Sequence, residues 1–200
     1  MPERHEADTS ASLLLRIRDP QDNEAWTTFV NVYSPLIRRY CARKGLQPAD
    51  ASDIAQEVMS RVAKSIPTFE YDPERGRFRA WFGTLIANQI ATHQAKQGRS
   101  PLVALAEDLP TPDPQWNQDF TEHVLAISMD RIRSEFEPAT WEAFAATWIR
   151  QEPPAEVAAR LGTAIHAVYV NKSRVLNRLQ AEIVHLAADL PRPLLNGSGA

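Results

Sequence analysis

Six residues within one short stretch, His166, Tyr169, Asn171, Lys172, Arg174 and Arg178, carry side chains that bond phosphate oxygens and the edges of bases. They are interleaved with Ile165, Val168, Val175, Leu176 and Leu179, whose spacing of three and four predicts the buried stripe of a helix. No acid stands between Ala164 and Gln180, so the exposed side of that helix is locally basic. Just before it, Glu156 to Leu161 places Val157, Ala158 and Leu161 at helical spacing, and Gly162 supplies a residue that can take positive φ without strain. Helix, glycine turn and basic helix together predict a helix-turn-helix whose second helix enters the DNA major groove. An ordinary helical hairpin with a solvated face satisfies the same spacing.

Chemistry of other kinds finds little support. The histidines, His5, His93, His123, His166 and His185, lack metal-ligand spacing, and no Gly-rich phosphate loop or nucleophile motif is present. Glu122-His123 reads as a surface pair. We therefore expect no metal, no cofactor and no enzymatic activity. Cys41 is the only cysteine, which excludes a disulfide framework and fits a small core residue. No apolar run approaches the length of a membrane span, and the expected location is the cytoplasm.

The elements that must position these residues follow from periodicity, and all of them are helical; the expected fold is all-α in two small domains. A short helix is predicted from Ser12 as N-cap to Arg18, ahead of Pro20. Another covers 23–32 with Trp26, Phe29 and Val30 inward, interrupted or kinked at Tyr33-Ser34-Pro35 and resuming from Leu36 to Lys44. Asp50 or Ser52 can cap a third, in which Ile54, Val58, Val62 and Ile66 recur every four residues before Pro67. Its outer face shows Asp53, Gln56, Glu57, Ser60, Arg61 and Lys64. After a charged loop, a helix from Phe78 to about Gln97 is aromatic at its start and rich in amides further on. Prolines 101, 110, 112 and 114, with Glu107, Asp108, Asp113 and Asp119, define an acidic linker over 98–119. The first domain is thus placed at 12–97 and the helix-turn-helix domain at 120–190, with loose ends on either side. The net charge of −3 hides this unevenness. Residues 12–99 hold thirteen Lys and Arg against nine Asp and Glu, whereas 100–135 hold two against seven.

Two of these segments resemble one family. Asp53-Ile54-Ala55-Gln56-Glu57-Val58 resembles the DxxQE helix in the second conserved region of bacterial sigma factors. Arg77-Phe78-Arg79-Ala80-Trp81-Phe82-Gly83-Thr84-Leu85-Ile86-Ala87-Asn88 resembles the FxxWLxxIAxN pattern of the same domain. With a linker and a C-terminal helix-turn-helix, the chain is similar over about residues 12–185 to the extracytoplasmic-function (ECF) sigma factors, which have only the second and fourth regions. Trp141-Glu142-Ala143-Phe144 and Asn171-Lys172-Ser173-Arg174-Val175-Leu176 resemble variants abundant in planctomycetes.

The resemblance implies partners and roles. Core RNA polymerase would dock on Asp53, Gln56, Glu57 and Arg61, although the residues without the resemblance favour a solvated helix with a Glu57–Arg61 pair. Capture of unpaired minus-ten bases calls for aromatic platforms, amides and cations. Arg77, Phe78, Arg79, Trp81, Asn88, His93 and Lys96 supply them, with Arg75 and Arg99 available for phosphates, and Asn88 would receive a flipped base. Phe78 and Trp81 fit core and base contact alike. His166, Tyr169, Asn171, Lys172, Arg174 and Arg178 would meet the minus-thirty-five element of promoter DNA. Thr92-His93-Gln94-Ala95-Lys96 lacks the arginines that members often carry there, and Tyr169-Val170 stand where others place Arg and Ser. The acidic linker reads either as a tether or, by resemblance, as a segment in the polymerase's RNA exit path. Many relatives are held by an anti-sigma factor, and nothing in this sequence identifies one. A polymerase-independent DNA-binding regulator and a sigma-like adaptor without promoter activity are the alternatives.

Overall fold

A computed structural model describes residues 12–69, 77–98 and 114–187. Arg75, Arg99, the acidic stretch before Pro114 and the chain ends lie outside them. Among the described residues there is no strand, and the helices are α1 (Leu13–Arg16), α2 (Asn23–Arg43), α3 (Pro48–Ser65), α4 (Arg77–Lys96), α5 (Pro114–Arg133), α6 (Pro138–Phe144), α7 (Pro154–Leu161) and α8 (Ile165–Leu186). The chain divides into two compact units whose boundary falls between His123 and Val124.

In the first unit, Asp22 caps α2 by accepting the Ala25 N–H at 2.9 Å. Arg16 grips the same carboxylate at 2.8 Å and holds it below the usual carboxylate range. Helix α1 ends at Arg16 rather than Arg18, and the Arg18 guanidinium turns away to the carbonyls of Ile66 and Phe69. Ser12 makes no side-chain cap bond.

Helix α2 departs from expectation by running unbroken through Pro35. Pro35 itself is exposed, while Tyr33, Leu36, Ile37 and Tyr40 around it are buried, so packing holds the helix across the missing N–H. Val30, expected inward, is 38% exposed; Phe29 and Val32 take the inward positions. Cys41 is wholly buried, and burial pushes its thiol up to about 11. Helix α3 buries Ile54, Val58 and Val62 as their spacing predicts, but it starts at Pro48, whose ring suits the first turn. Neither Asp50 nor Ser52 caps it; the Ser52 hydroxyl donates back to the Pro48 carbonyl.

Helix α4 buries Phe78, Phe82, Ile86 and Ile90, again four apart. Phe78 and Phe82 join Phe29, Tyr33 and Phe120 in an aromatic cluster. Phe120 belongs to α5, and this corrects the expected linker: from 114 onward the segment is helical, and its first turns complete the first unit's core. Trp116 is wholly buried, with its indole N–H donating to the Arg79 carbonyl at 2.9 Å. Arg43 pairs with Asp119, whose carbonyl also accepts from Arg39 at 3.0 Å. His123 is buried against the Val32 carbonyl at 2.6 Å, so the expected surface pair with Glu122 is not formed. Proline 114 opens this helix instead of preventing it, because a first turn needs no N–H. Gly83 makes room for the indole: a Cβ there would lie 2.5 Å from Trp116 Nε1.

The second unit packs α6, α7 and α8 around a core of small side chains, Ala143, Ala146, Val157, Ala158 and Val168. A π-turn, Ala145–Ile149, follows α6, with the Thr147 hydroxyl donating to the Ala143 carbonyl at 2.7 Å. Gln151 then takes a left-handed backbone (φ 57°) unusual for a residue with a Cβ. An ion-pair ring closes over this bend. Arg150 and Arg160 each bond both Glu142 and Glu152, at 2.5 to 2.7 Å, which ties α6, the connection and α7 together. Arg160 foremost holds the Glu142 carboxyl below the usual range, and Arg150 does so for Glu152.

Candidate functional site

Three surfaces are in question, and each rests on a rigid helix. On α3, the four-residue repeat that buries Ile54, Val58 and Val62 turns Asp53, Gln56, Glu57 and Arg61 outward, and all four are exposed. Arg61 donates to Glu57 at 3.2 Å, one helical turn away. Such an exposed pair contributes little to stability, so both groups can exchange it for a partner at small cost.

Between α3 and α4 lies a polar trough. One part, of about 290 Å³, is lined by Asp53, Glu57, Arg61, Gln89, His93 and Lys96. A second part, of about 420 Å³, is lined by Arg61, Asn88, Gln89, Ala91, Thr92, Ala95 and Lys96. Arg61, Gln89, Thr92 and Lys96 border both, so the charged face of α3 and the amide-bearing face of α4 share a wall. Asn88 is half-buried at the edge of the trough, and its backbone carbonyl accepts the Thr92 hydroxyl at 2.8 Å. A cavity edged with amides and cations suits a planar, hydrogen-bonding group with phosphate nearby.

The structure separates the α4 residues that the sequence grouped. Phe78 is wholly buried and stacks on Phe82 with centroids 5.3 Å apart, so it is core and offers no face to a base. Trp81 is half-buried, packed on Phe69 at 4.7 Å and Phe78 at 5.8 Å. Arg79 is half-buried, and Arg77 opens the helix. His93 does not project freely: its Nε2 lies 3.3 Å from Asp50 of α3 and 2.7 Å from the Gln97 amide. Asp50 was unremarkable in the sequence because its partner stands 43 positions away. Lys96 is exposed.

On the second unit, α7 ends at Gly162 with φ 63° and ψ 35°, the left-handed turn that the sequence predicts. Helix α8 buries Val168, Val175 and Leu179. Two stripe positions are corrected: Ile165 is 45% exposed and Leu176 is half-buried. His166, Tyr169 and Arg174 are exposed, while Asn171 and Lys172 are half-buried. Arg178 pairs with Glu135 at 2.7 and 2.8 Å and with Glu182 at 3.0 Å, so it also ties this unit together. Glu182 is buried and also takes Arg131 at 2.6 Å. Burial would raise its carboxyl, but the bonds from Arg131 and Arg178 prevail and lower it. Val170, which stands where relatives often place a polar residue, is 42% exposed beside Tyr169 at 51%. The exposure of Ile165 was hidden because an apolar residue on a helix reads as core.

Among the described residues no His, Cys, Asp and Glu cluster suits a metal ion, and no helix is long and apolar enough to cross a membrane.

Comparison with known proteins agrees with this arrangement. The family model for sigma-70 region 2 matches residues 29–100, which include α3, α4 and the trough. The chain is 30% identical over 174 residues to the ECF RNA polymerase sigma factor SigD of Mycobacterium bovis and of Mycobacterium tuberculosis, covering 82% of this chain and 79% of theirs. It is 25% identical over 147 residues to the ECF RNA polymerase sigma factor SigE of Mycolicibacterium smegmatis, covering 72% of this chain and 56% of that one. No solved structure is significantly similar to it.

Proposed function

The chain belongs to the ECF RNA polymerase sigma factors, and from that membership we propose that it binds core RNA polymerase and directs initiation at specific promoters. The polymerase docks on the α3 face, through Asp53, Gln56, Glu57 and Arg61. The trough between α3 and α4 receives an unpaired minus-ten base at Asn88, with Lys96 and Arg79 near the phosphates. Helix α8 enters the major groove at the minus-thirty-five element, where Arg174, Lys172 and Asn171 contact phosphates and bases. Asn88, His166, Tyr169, Arg174 and Arg178 remain candidates, Arg178 while also pairing with Glu135; Phe78 is withdrawn, because it is wholly buried.

The observation that carries the reading is the shared wall of the trough. Arg61 and Lys96 border both its parts, so a polymerase-facing helix and a base-receiving cavity adjoin within one unit. A regulator that acted on duplex DNA alone would have no use for that cavity. A sigma-like adaptor without promoter activity is the second reading. It is favoured by the thinned basic face of α4, where Ala95 stands in place of an arginine that family members often carry.

Transcription with purified core polymerase tests the proposal, on templates from the region upstream of the chain's own gene. Transcripts should depend on the protein and fall at least about tenfold, the equivalent of one lost charge-assisted contact, in Asn88→Ala and in Arg174→Ala. Polymerase binding without transcripts on any template would favour the adaptor. Absence of polymerase binding would sink both.

A further inference from the structure

The front of α8 exposes more apolar surface than a phosphate-binding helix needs. Ile165, Tyr169 and Val170 are 45%, 51% and 42% exposed, and they occupy the first two turns of the helix. They stand apart from the packed stripe, where Val168 and Val175 are wholly buried. Ile165 and Tyr169, four apart, share one side of the helix, and Val170 lies about 100° further round from Tyr169, so Ile165 and Val170 flank the exposed sector. In a helix-turn-helix the N-terminal residues of the second helix are those that reach base edges. The cations of α8, Lys172 and Arg174, come later in the helix, where they suit the flanking phosphates. Only one base presents an apolar group in the major groove, thymine through its C5 methyl. An exposed β-branched side chain against that methyl removes apolar area from water on both partners.

Resting on the promoter reading above, we propose that Ile165 and Val170, on the two flanks of this exposed sector, select thymine in the upstream element by contact with its C5 methyl. The specificity of this helix is then largely apolar, and guanine-reading by arginine is secondary to it.

The test removes the methyl and nothing else. Duplexes are selected from a randomised library by the full chain with core polymerase, and each thymine of the enriched upstream element is replaced in turn by deoxyuridine. Binding should weaken about three- to fivefold at one or two positions, the amount expected for one buried methyl. Val170→Ser and Ile165→Ser should each abolish the penalty at one of those positions. Both side chains are exposed, so thermal melting should be unchanged and the variants remain folded. Indifference of the wild type to uracil at every position would overturn the proposal, as would a penalty that persists in both serine variants. Concentration-dependent self-association without any uracil effect would also overturn it, because it would give the apolar face to a second copy of the chain. Loss of transcription with the uracil penalty intact would count against promoter initiation and in favour of the methyl contact.

Discussion

At the scale of single residues, Gly83 and Phe78 show how close packing limits what a conserved-looking position can do. Gly83→Ala gains helix propensity but drives a methyl to 2.5 Å from Trp116 Nε1. We expect a net loss of about 1–3 kcal/mol in urea unfolding, from overpacking. Trp116→Phe should relieve part of it, so the two changes together should cost less than their sum. Phe78→Ala should cost about 3–5 kcal/mol through the cavity it leaves. Any transcription defect in that variant should track unfolding. Asn88→Ala, by contrast, should leave the melt nearly unchanged and lower promoter opening. Sequence reasoning could not separate these two, because an aromatic four residues before another serves a core and a base-stacking platform equally well. Burial decides between them, and burial at Phe78 depends on Phe29, Tyr33 and Phe120, which lie far off in the chain.

Among the elements, α3 was readable from its four-residue repeat, and the turn at Gly162 from the glycine itself. What periodicity left out was pairing between distant charges. The pairing of Arg178 could not be foreseen because Glu135 stands 43 residues before it. Glu182 should therefore be the more informative position to test. Its folded pKa lies below the ordinary value of 4.5, so its stabilising contribution is complete above about that pH and is lost as pH falls through the lower folded value. Glu182→Gln should destabilise the second unit by about 2 kcal/mol at pH 7, since two charge-assisted bonds weaken together. The gap between wild type and variant in denaturant titrations should shrink steadily as the pH drops below the ordinary carboxylate range. A gap independent of pH would mean that shape, not charge, matters at this position. Of the expected linker, the end, from Pro114, was misread. Four prolines suggested an open tether up to 119, yet Pro114 begins a helix, and Trp116 and Phe120 are core. Composition reports average propensity, whereas two buried aromatics outweigh it locally.

For the whole molecule, a net charge of −3 gives no general attraction to DNA. On the proposed function, affinity would come from local faces joined in one chain and from a polymerase that held them, through raised effective concentration. The free chain should accordingly bind duplex DNA weakly, and anisotropy titrations should tighten sharply when core polymerase is added. On that complex, Lys96→Ala should lower the slope of log affinity against log salt by about one, the loss of a single phosphate contact. An unchanged slope would remove Lys96 from the DNA interface. The all-helical class and the order of motifs were plain in the sequence because they depend on neighbours along the chain.

The setting of Trp116 also makes it a source of light. An indole wholly out of water, with its N–H bound to a fixed carbonyl, should emit at the blue end of the tryptophan range. The difference in fluorescence between the protein and its Trp116→Phe variant would isolate that emission from the other four tryptophans. Its shift to the red would time the moment at which the first turns of α5 leave their seat, without a dye, in the protein alone or while it engages polymerase and DNA.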